Sequence, residues 1–549
     1  MAKAKSIDEL QLPKLRLMPK LSKRGKLHFF LACLLLVVSS LSFARFIYYS
    51  AEILEHAQAG SLPKMLQAVW LSLAFLAIHF AATIVAARSR LAFLSDGTIR
   101  MRGDLMRSIF RRPLRSFREQ SDAYYLNLLG ADTDLYALDW IGMIPWIFSG
   151  AADVVIFSVN LFLLNPWLLA ISVVLSTAPF FISRSVSNIT QQRKQAYSNA
   201  SEKLTGILKE GVEGYETLRM GQGTASYMRR FLDGCTQRQR AYTAFSMANA
   251  ISMQMLYKTA CILSVGCTAV GGWLLIRGAL SVSLLFAAVS YSSNLSNAFS
   301  NIAEFIITIR STAKIAQKLH AECQADTTRQ TGSLAAETPE IAYEEVSFSF
   351  GERKLYDHFS YRFKGNGCYA IIGESGSGKS TLIKLLLKYY DDYGGTIKLS
   401  DHDIKSLSED EIFEAVGVVE QSPFLFNASL YENIMLFRRD IAEDSEEYRK
   451  LLQDVNLTAL AQRVGTHPLG DFGDNISGGE RQRIGIARTM QRHPRIVLFD
   501  EPTTGLDPEN VNLINDFIFS HRDILRIVIS HNWDGDYLDR FDGVIRVGV

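Results

Sequence analysis

Gly373, Glu374, Ser375, Gly376, Ser377, Gly378, Lys379, Ser380 and Thr381 form a glycine-punctuated loop closed by a lysine and two hydroxyls. Such glycines let backbone N–H groups close around phosphate oxygens, and a helix starting at the loop's end adds partial positive charge. Lys379 supplies a full charge to β- and γ-phosphates, and the Ser380 hydroxyl suits Mg²⁺. Asp500 and Glu501 end the run Arg495-Ile-Val-Leu-Phe, 120 residues after Ser380. Asp500 suits the Mg²⁺ shell, and Glu501 suits polarising an attacking water. Alone, each segment has a bland reading, a Gly/Ser turn or a strand ending in acids. Together, in this order, they read as a nucleotide site.

The elements that must position these groups follow from the flanking pattern. An apolar strand, Tyr369 to Ile372, precedes the loop and an apolar helix, Leu382 to Leu387, follows it. Strand-like and helical segments alternate across 341–549, the pattern of an α/β phosphate-loop NTPase domain. Residues 324–340 are a polar linker.

The remainder of the chain is different in kind. Of 549 residues, 48% are hydrophobic and 21% charged, but the charges avoid particular stretches. Leu27–Ala44, Met65–Ala87, Trp140–Ser183 (one acid, Asp153, and a break at Asn165-Pro166), Thr259–Ile276 and Gly278–Ala303 are long apolar runs. At about 1.5 Å per helical residue, runs of 18 to 23 residues match a bilayer core of about 30 Å. They resolve into six spans, giving an α-helical membrane domain over 27–323 joined to the α/β domain. Long polar stretches with helical spacing between spans two and three, and four and five, extend those helices beyond the membrane.

Basic residues set the expected orientation. Segment 1–26 holds eight Lys or Arg against Asp8 and Glu9, and nine arginines follow the second run. Both termini are therefore expected in the cytoplasm. Ser42-Phe43-Ala44 resembles a signal cleavage site, but the first span is expected to be retained. The six cysteines lack metal-ligand spacing, and a net charge of +2 gives no reason to expect nucleic acid as a partner.

Between the two nucleotide-site segments lies Asn475-Ile-Ser477-Gly478-Gly479-Glu480-Arg-Gln-Arg. With this motif the whole chain resembles an ATP-binding cassette (ABC) half-transporter of the exporter type. The resemblance implies ATP and Mg²⁺ as ligands, and a second half-transporter subunit, identical or different, as partner in a bilayer. It implies that Ser477, Gly478, Gly479 and Glu480 act on the partner's ATP, that Phe350 stacks on adenine, and that Gln421 reaches Mg²⁺ and water. It implies that Asp507 lies in an interface loop and that His531 contacts the γ-phosphate. Departures are Ile476 and Glu480, where Leu and Gln are usual, Phe350 for Tyr, and Asp471 for Glu. Coupling helices are expected near Tyr124 and Tyr125, and near Tyr215, each presenting an exposed aromatic.

Ser290, Asn294, Asn297, Asn301 and Glu304 recur at intervals of four and three on the last span. They share one helical face, which lines either a wet cavity or a hydrogen-bonded helix seam. Asp153 is an intramembrane acid, a substrate or structural candidate. The implied activity is ATP-driven export of a peptide, lipid or amphipathic small molecule by alternating access, in a bacterial cytoplasmic membrane. The alternatives are a thiol- or haem-exporting subunit of cytochrome assembly, or a non-transporting channel or sensor. No Cys/His peptidase-like segment precedes the first span, so leader-peptide cleavage is not expected of this polypeptide.

Overall fold

The structure is a computed structural model that describes residues 21–176, 178–324, 340–351, 353–470 and 476–548. Most of the basic segment 1–26, nearly all of the linker and Asp471 lie outside the described residues. Two compact units are present. One runs to Arg112 and resumes from Glu119 to Thr327; the other takes Pro113–Arg118 and the chain from Thr328 onward.

The first unit is helical. Ser22 caps α1 (Lys23–Gln58) by accepting from the Gly25 amide, and Pro63 sits in the first turn of α2 (Leu62–Ile109). The short α3 (Leu114–Arg118) belongs to the second unit. Then come α4 (Asp122–Asn127), a π-turn at Leu128–Asp132, α5 (Thr133–Asp139), α6 (Ile144–Leu164), α7 (Pro166–Ser176) and α8 (Ala178–Glu213). The short α9 (Tyr215–Met220), α10 (Thr224–Ile276) and α11 (Val282–Gln324) complete the unit. The expected break is real. Asn165 ends α6 in extended backbone, and its Oδ1 accepts from the Trp167 amide at 2.9 Å.

At 48 residues α2 is about 72 Å long, more than twice a bilayer core. The long helices therefore continue well past the membrane, as the polar inter-span stretches imply. Among the described residues, three stretches are long and apolar enough to cross a bilayer: Lys23–Gln58, Leu62–Ile109 and Asp122–Leu164. In α10 the apolar part is Val265–Ile276.

Small residues let these helices approach. A Cβ on Gly150 of α6 would sit 2.7 Å from Ile302 of α11. Ser292 joins α11 to α7 and α10, with 2.7 Å contacts to Ser172 Oγ and to Cys267 Sγ. The extramembrane end packs Phe93, Tyr136, Trp140, Ile315 and Leu319 around two ion pairs. Lys318 reaches the buried Asp132 at 2.9 Å, and the buried Lys194 of α8 pairs with Asp139 and donates to Thr312 Oγ1 at 2.6 Å. Breaking such a pair leaves a charge poorly solvated, whereas replacing both partners relieves it. Lys194→Ala is thus expected to cost about 3 kcal/mol, read by denaturation in detergent. Lys194→Met with Asp139→Leu should recover most of that loss.

The second unit is α/β. An antiparallel sheet, ordered β2-β1-β4-β5, comprises β1 (Glu340–Phe350), β2 (Arg353–Lys364), β4 (Gly394–Leu399) and β5 (His402–Asp403). A parallel sheet, ordered β6-β7-β8-β3-β9, comprises β3 (Cys368–Ile372), β6 (Val416–Val419), β7 (Ile496–Asp500), β8 (Leu525–Ile529) and β9 (Gly543–Arg546). Its strands read as near-continuous apolar runs because both faces are covered: Ile371, Leu498 and Ile527 face one core, Ala370, Val497 and Val528 the other. The helices that matter for the site are α12 (Lys379–Leu386), α13 (Glu409–Ala415), α17 (Gly478–Met490) and α18 (Pro508–Ser520). Between α13 and α17 lie α14 (Leu430–Met435), α15 (Glu446–Asp454) and α16 (Thr458–Val464).

Candidate functional site

Strand β8 lies between β3 and β7, so loops leaving the carboxyl ends of β3, β6, β7 and β8 converge where open α/β sheets bind ligands. The chain leaves β3 at Gly373 and enters α12 at Lys379. Gly376 and Gly378 turn it with φ of +79° and +107°, backbone that side chains resist. Gly378 is constrained twice. Its carbonyl accepts from Tyr356 Oη at 2.6 Å, and a Cβ there would stand 2.8 Å from that hydroxyl. Lys379 is 5% exposed and donates to the carbonyls of Gly373 at 2.9 Å and Glu374 at 3.0 Å, so its ammonium lies across the loop. Ser377 Oγ is buried with no hydrogen-bond partner among the described residues. A phosphate oxygen would satisfy it.

Ser380 Oγ donates to Asp500 Oδ1 at 3.0 Å. A hydroxyl beside a carboxylate is a hard-oxygen pair that fits Mg²⁺, an ion that keeps several waters and takes few protein ligands. Burial pushes the Asp500 carboxyl up; the Ser380 hydroxyl opposes this and the Glu501 charge reinforces it. A bound cation would favour the ionised form.

Glu501 is held from three sides. Its backbone is left-handed, φ +49°, a strained conformation of the kind that clusters at active sites. Oε1 lies 2.6 Å from His531 Nε2, and Oε2 accepts from Gln421 Nε2 at 2.8 Å and from Thr504 Oγ1 at 3.3 Å. These partners come from the loops after β8, β6 and β7, so convergence of strand ends positions the carboxylate.

Ser477 is the N-cap of α17. Its Oγ accepts from the Glu480 amide at 3.2 Å, and Glu480 Oε2 accepts from the Ser477 amide at 2.9 Å. Arg463 donates to the same carboxylate at 3.0 Å. This reciprocal cap gives the Glu at position 480, where Gln is usual, a physical reason. Burial raises the Glu480 carboxyl, but the Ser477 amide and hydroxyl and the Arg463 guanidinium outweigh it and hold it below the usual range. The first-turn amides of Gly478 and Gly479 have no intrahelical acceptor, which leaves them available to an anion. Asp507 caps α18 by accepting from the Asn510 amide at 3.0 Å. Phe350 is 45% exposed at the end of β1, its ring edge-on to Phe348 and Tyr390.

The expected coupling aromatics divide. Tyr215 is exposed at the start of α9. Tyr124 and Tyr125 do not match the expectation of exposed rings. Tyr125 is 6% exposed, and Tyr124 Oη donates to Glu322 of α11 at 2.6 Å under the Lys318 ammonium. Both lie in the helical unit because the α4 face that carries them is apolar enough to pack there. The segment grouped with the α/β unit is Pro113–Arg118 instead. Glu409 of α13 accepts from the Leu114 amide at 3.0 Å, Arg115 pairs with Asp391 at 3.1 Å, and Arg118 covers Tyr389. Its clustered arginines and Pro113 were the available signal.

On α11, Asn297 and Asn301 are exposed and Ser290, Asn294 and Glu304 are half-buried. The packed seam of that helix is a different stripe, Ser292, Ser296 and Ser300. Small residues at intervals of four are the recognisable mark of such a seam. Asp153 of α6 lies beside Ser40 of α1 and near His79 of α2. Beside Ser40, Ser39 contacts His79 of α2 at 2.9 Å and Thr83 at 3.0 Å.

Two family models match the chain: ABC transporter transmembrane region over residues 29–299, and ABC transporter over residues 356–504. ABC transporter B family member 3 of Dictyostelium discoideum is 27% identical over 393 residues, covering 66% of this chain and 26% of that protein. Mycobactin import ATP-binding/permease protein IrtB of Mycolicibacterium smegmatis is 30% identical over 291 residues, covering 52% and 50%. The chain spans half or less of the length of these curated relatives. A solved structure of a bacterial Atm1-family ABC exporter with ATP bound superposes with a TM-score of 0.82 at 19% identity, covering 96% of this chain and 94% of that one. At that identity the likeness is one of fold.

Proposed function

The chain belongs to the ABC transporter family, and from that premise we propose that it is one half of a two-chain, ATP-driven exporter of a peptide, lipid or amphipathic small molecule. The observation that carries the reading is Glu501, gripped by Gln421, Thr504 and His531 beside the Ser380–Asp500 pair.

The Gly373–Thr381 loop binds the phosphates through backbone amides, and Lys379 turns its charge from loop carbonyls to the β- and γ-oxygens. Ser380, Asp500 and Gln421 would hold Mg²⁺, which neutralises charge building on the transferring phosphoryl group. Glu501 orients the attacking water and takes its proton, while His531 and Gln421 keep the carboxylate aimed. Phe350 offers its exposed ring to the adenine. Ser477, Gly478 and Gly479 lie at a helix start that suits the γ-phosphate of a nucleotide held by another chain. Each chain thus brings half of two sites, and the partner is a second half-transporter chain, identical or different.

The coupling elements of this reading are Pro113–Arg118, which groups with the α/β unit, and the exposed Tyr215 of α9. The exposed Asn297 and Asn301, with Ser290, Asn294 and Glu304, line the substrate path once two chains pair. Asp153 lies apart, in the α1–α2–α6 seam, where a structural role suits it better. Both termini are cytoplasmic in a bacterial inner membrane. The mycobacterial relative is named for import and the structural neighbour for export, so direction is read in vesicles. Inside-out vesicles carrying the wild-type chain, with any co-expressed partner, should accumulate an amphipathic peptide or lipid only with Mg-ATP. Active hydrolysis with no movement of any such probe would contradict the reading.

A further inference from the structure

We propose that Asn510 is a positioning residue that ties the start of α17 to the Asp507 loop, so that a nucleotide gripped by Ser477–Glu480 is felt at Glu501 of the same chain. The inference rests on the paired half-sites proposed above and names the contact through which one site informs the other.

Asn510 is the third residue of α18. Its backbone N–H donates to Asp507 Oδ1 at 3.0 Å and its side-chain Nδ2 to Asp507 Oδ2 at 2.6 Å. Both oxygens of the loop carboxylate are therefore fixed by one residue. The amide's other end faces α17: Asn510 Oδ1 accepts from Arg483, and a Cβ on Gly479 would collide with the Asn510 amide. A second contact runs parallel, since a Cβ on Gly478 would touch Leu506 at 3.4 Å. From this loop the path is short, because Thr504 Oγ1 donates to Glu501 Oε2 at 3.3 Å.

A plain helix cap does not account for this arrangement. Capping α18 needs only the Asp507 carboxylate and the Asn510 backbone N–H. The side-chain bonds to Arg483 and to the second carboxylate oxygen add nothing to it. They need a group that accepts from a guanidinium and donates to a carboxylate at once, which a neutral amide does. An aspartate at 510 would satisfy Arg483 but oppose Asp507. A movement of the α17 start, such as closing on a phosphate, must displace Asn510 or carry Asp507 with it.

The test is steady-state ATP hydrolysis by the full-length protein, in five forms: wild type, Asn510→Ala, Asn510→Asp, Asp507→Asn, and Asn510→Asp with Asp507→Asn. In the double variant the amide introduced at position 507 would donate to the carboxylate at position 510, which still accepts from Arg483, and asparagine remains a good N-cap. Asn510→Ala should lower kcat about tenfold with KM for ATP changed less than about twofold, the scale of a lost hydrogen bond to a charged group. Asn510→Asp should lose at least as much, and the double variant should return to within about threefold of wild type. Wild-type kcat in Asn510→Ala, or a double variant no better than the worse single one, would overturn the inference alone. A wild-type protein without ATP turnover would overturn the functional reading and this inference with it.

Discussion

Replacing Glu501 by Gln is expected to reduce ATP turnover by at least about 10²-fold while ATP binding survives. Glutamine is nearly isosteric: its one amide oxygen can replace Oε2 as acceptor for Thr504 and Gln421, and its NH2 then faces His531 Nε2, which accepts in the neutral tautomer, so the loop after β7 should retain its left-handed turn. What is lost is the charge that, on the proposed mechanism, draws a proton from water. Gln421 donates to the carboxylate at 2.8 Å and would then face an amide, a weaker neutral pair. The expected signature is a kcat collapse with little change in nucleotide affinity, measured by phosphate release and by equilibrium binding. A large loss of affinity instead would mean that Glu501 belongs to binding, and turnover near wild type would remove it from the chemistry.

Lys379→Met should act on the other side of that split. The ammonium is buried and already points at the Gly373 and Glu374 carbonyls. Removing it deletes the full charge offered to phosphate and leaves those carbonyls poorly satisfied. Hydrogen bonds to charged groups contribute about 1.5–3 kcal/mol each, so affinity for ATP should fall about 100-fold. Titration with a fluorescent ATP analogue reads this directly. Adenosine carries no phosphate, so its affinity, which the proposed stacking on Phe350 would set, should change little. An equal loss for adenosine would show that the substitution had simply collapsed the loop.

The contrast between these substitutions reflects what the sequence could convey. The phosphate loop was legible because its chemistry is local: glycines at 376 and 378 must adopt positive φ, and Lys379 must follow them directly. Asp500 and Glu501 were legible only because their apolar strand follows the glycine-rich loop in the same domain; alone, a strand ending in acids is unremarkable. The partners of Glu501 were reachable only through resemblance, since Gln421 and His531 come from loops that the strand order alone brings together. Thr504 carried no signal of its own. Tyr124 and Tyr125 misled because an aromatic pair on a short helix fits a docking surface and a buried seam equally well; the Glu322 and Lys318 of α11 that decide it are roughly two hundred residues away. Asn510 carried no motif signal at all, for its meaning lies in Gly479 and Arg483 on another helix.

On α11 the polar residues share one face, and the sequence left open whether a wet cavity or a helix seam lies opposite it. Asn297 and Asn301 are exposed on the single chain, while Ser292, Ser296 and Ser300 form the internal seam. A stripe that polar in a membrane helix needs a wet or protein surface opposite it. The second chain proposed above would supply one, which returns the matter to pairing.

Native mass spectrometry of Glu501→Gln, purified with any co-expressed partner and loaded with Mg-ATP, tests that claim most directly. The account predicts a species of two chains holding two ATP molecules, formed with ATP and dispersed when Lys379→Met is added. A single 61.5 kDa chain carrying one ATP, with no paired species at any protein concentration, would contradict it.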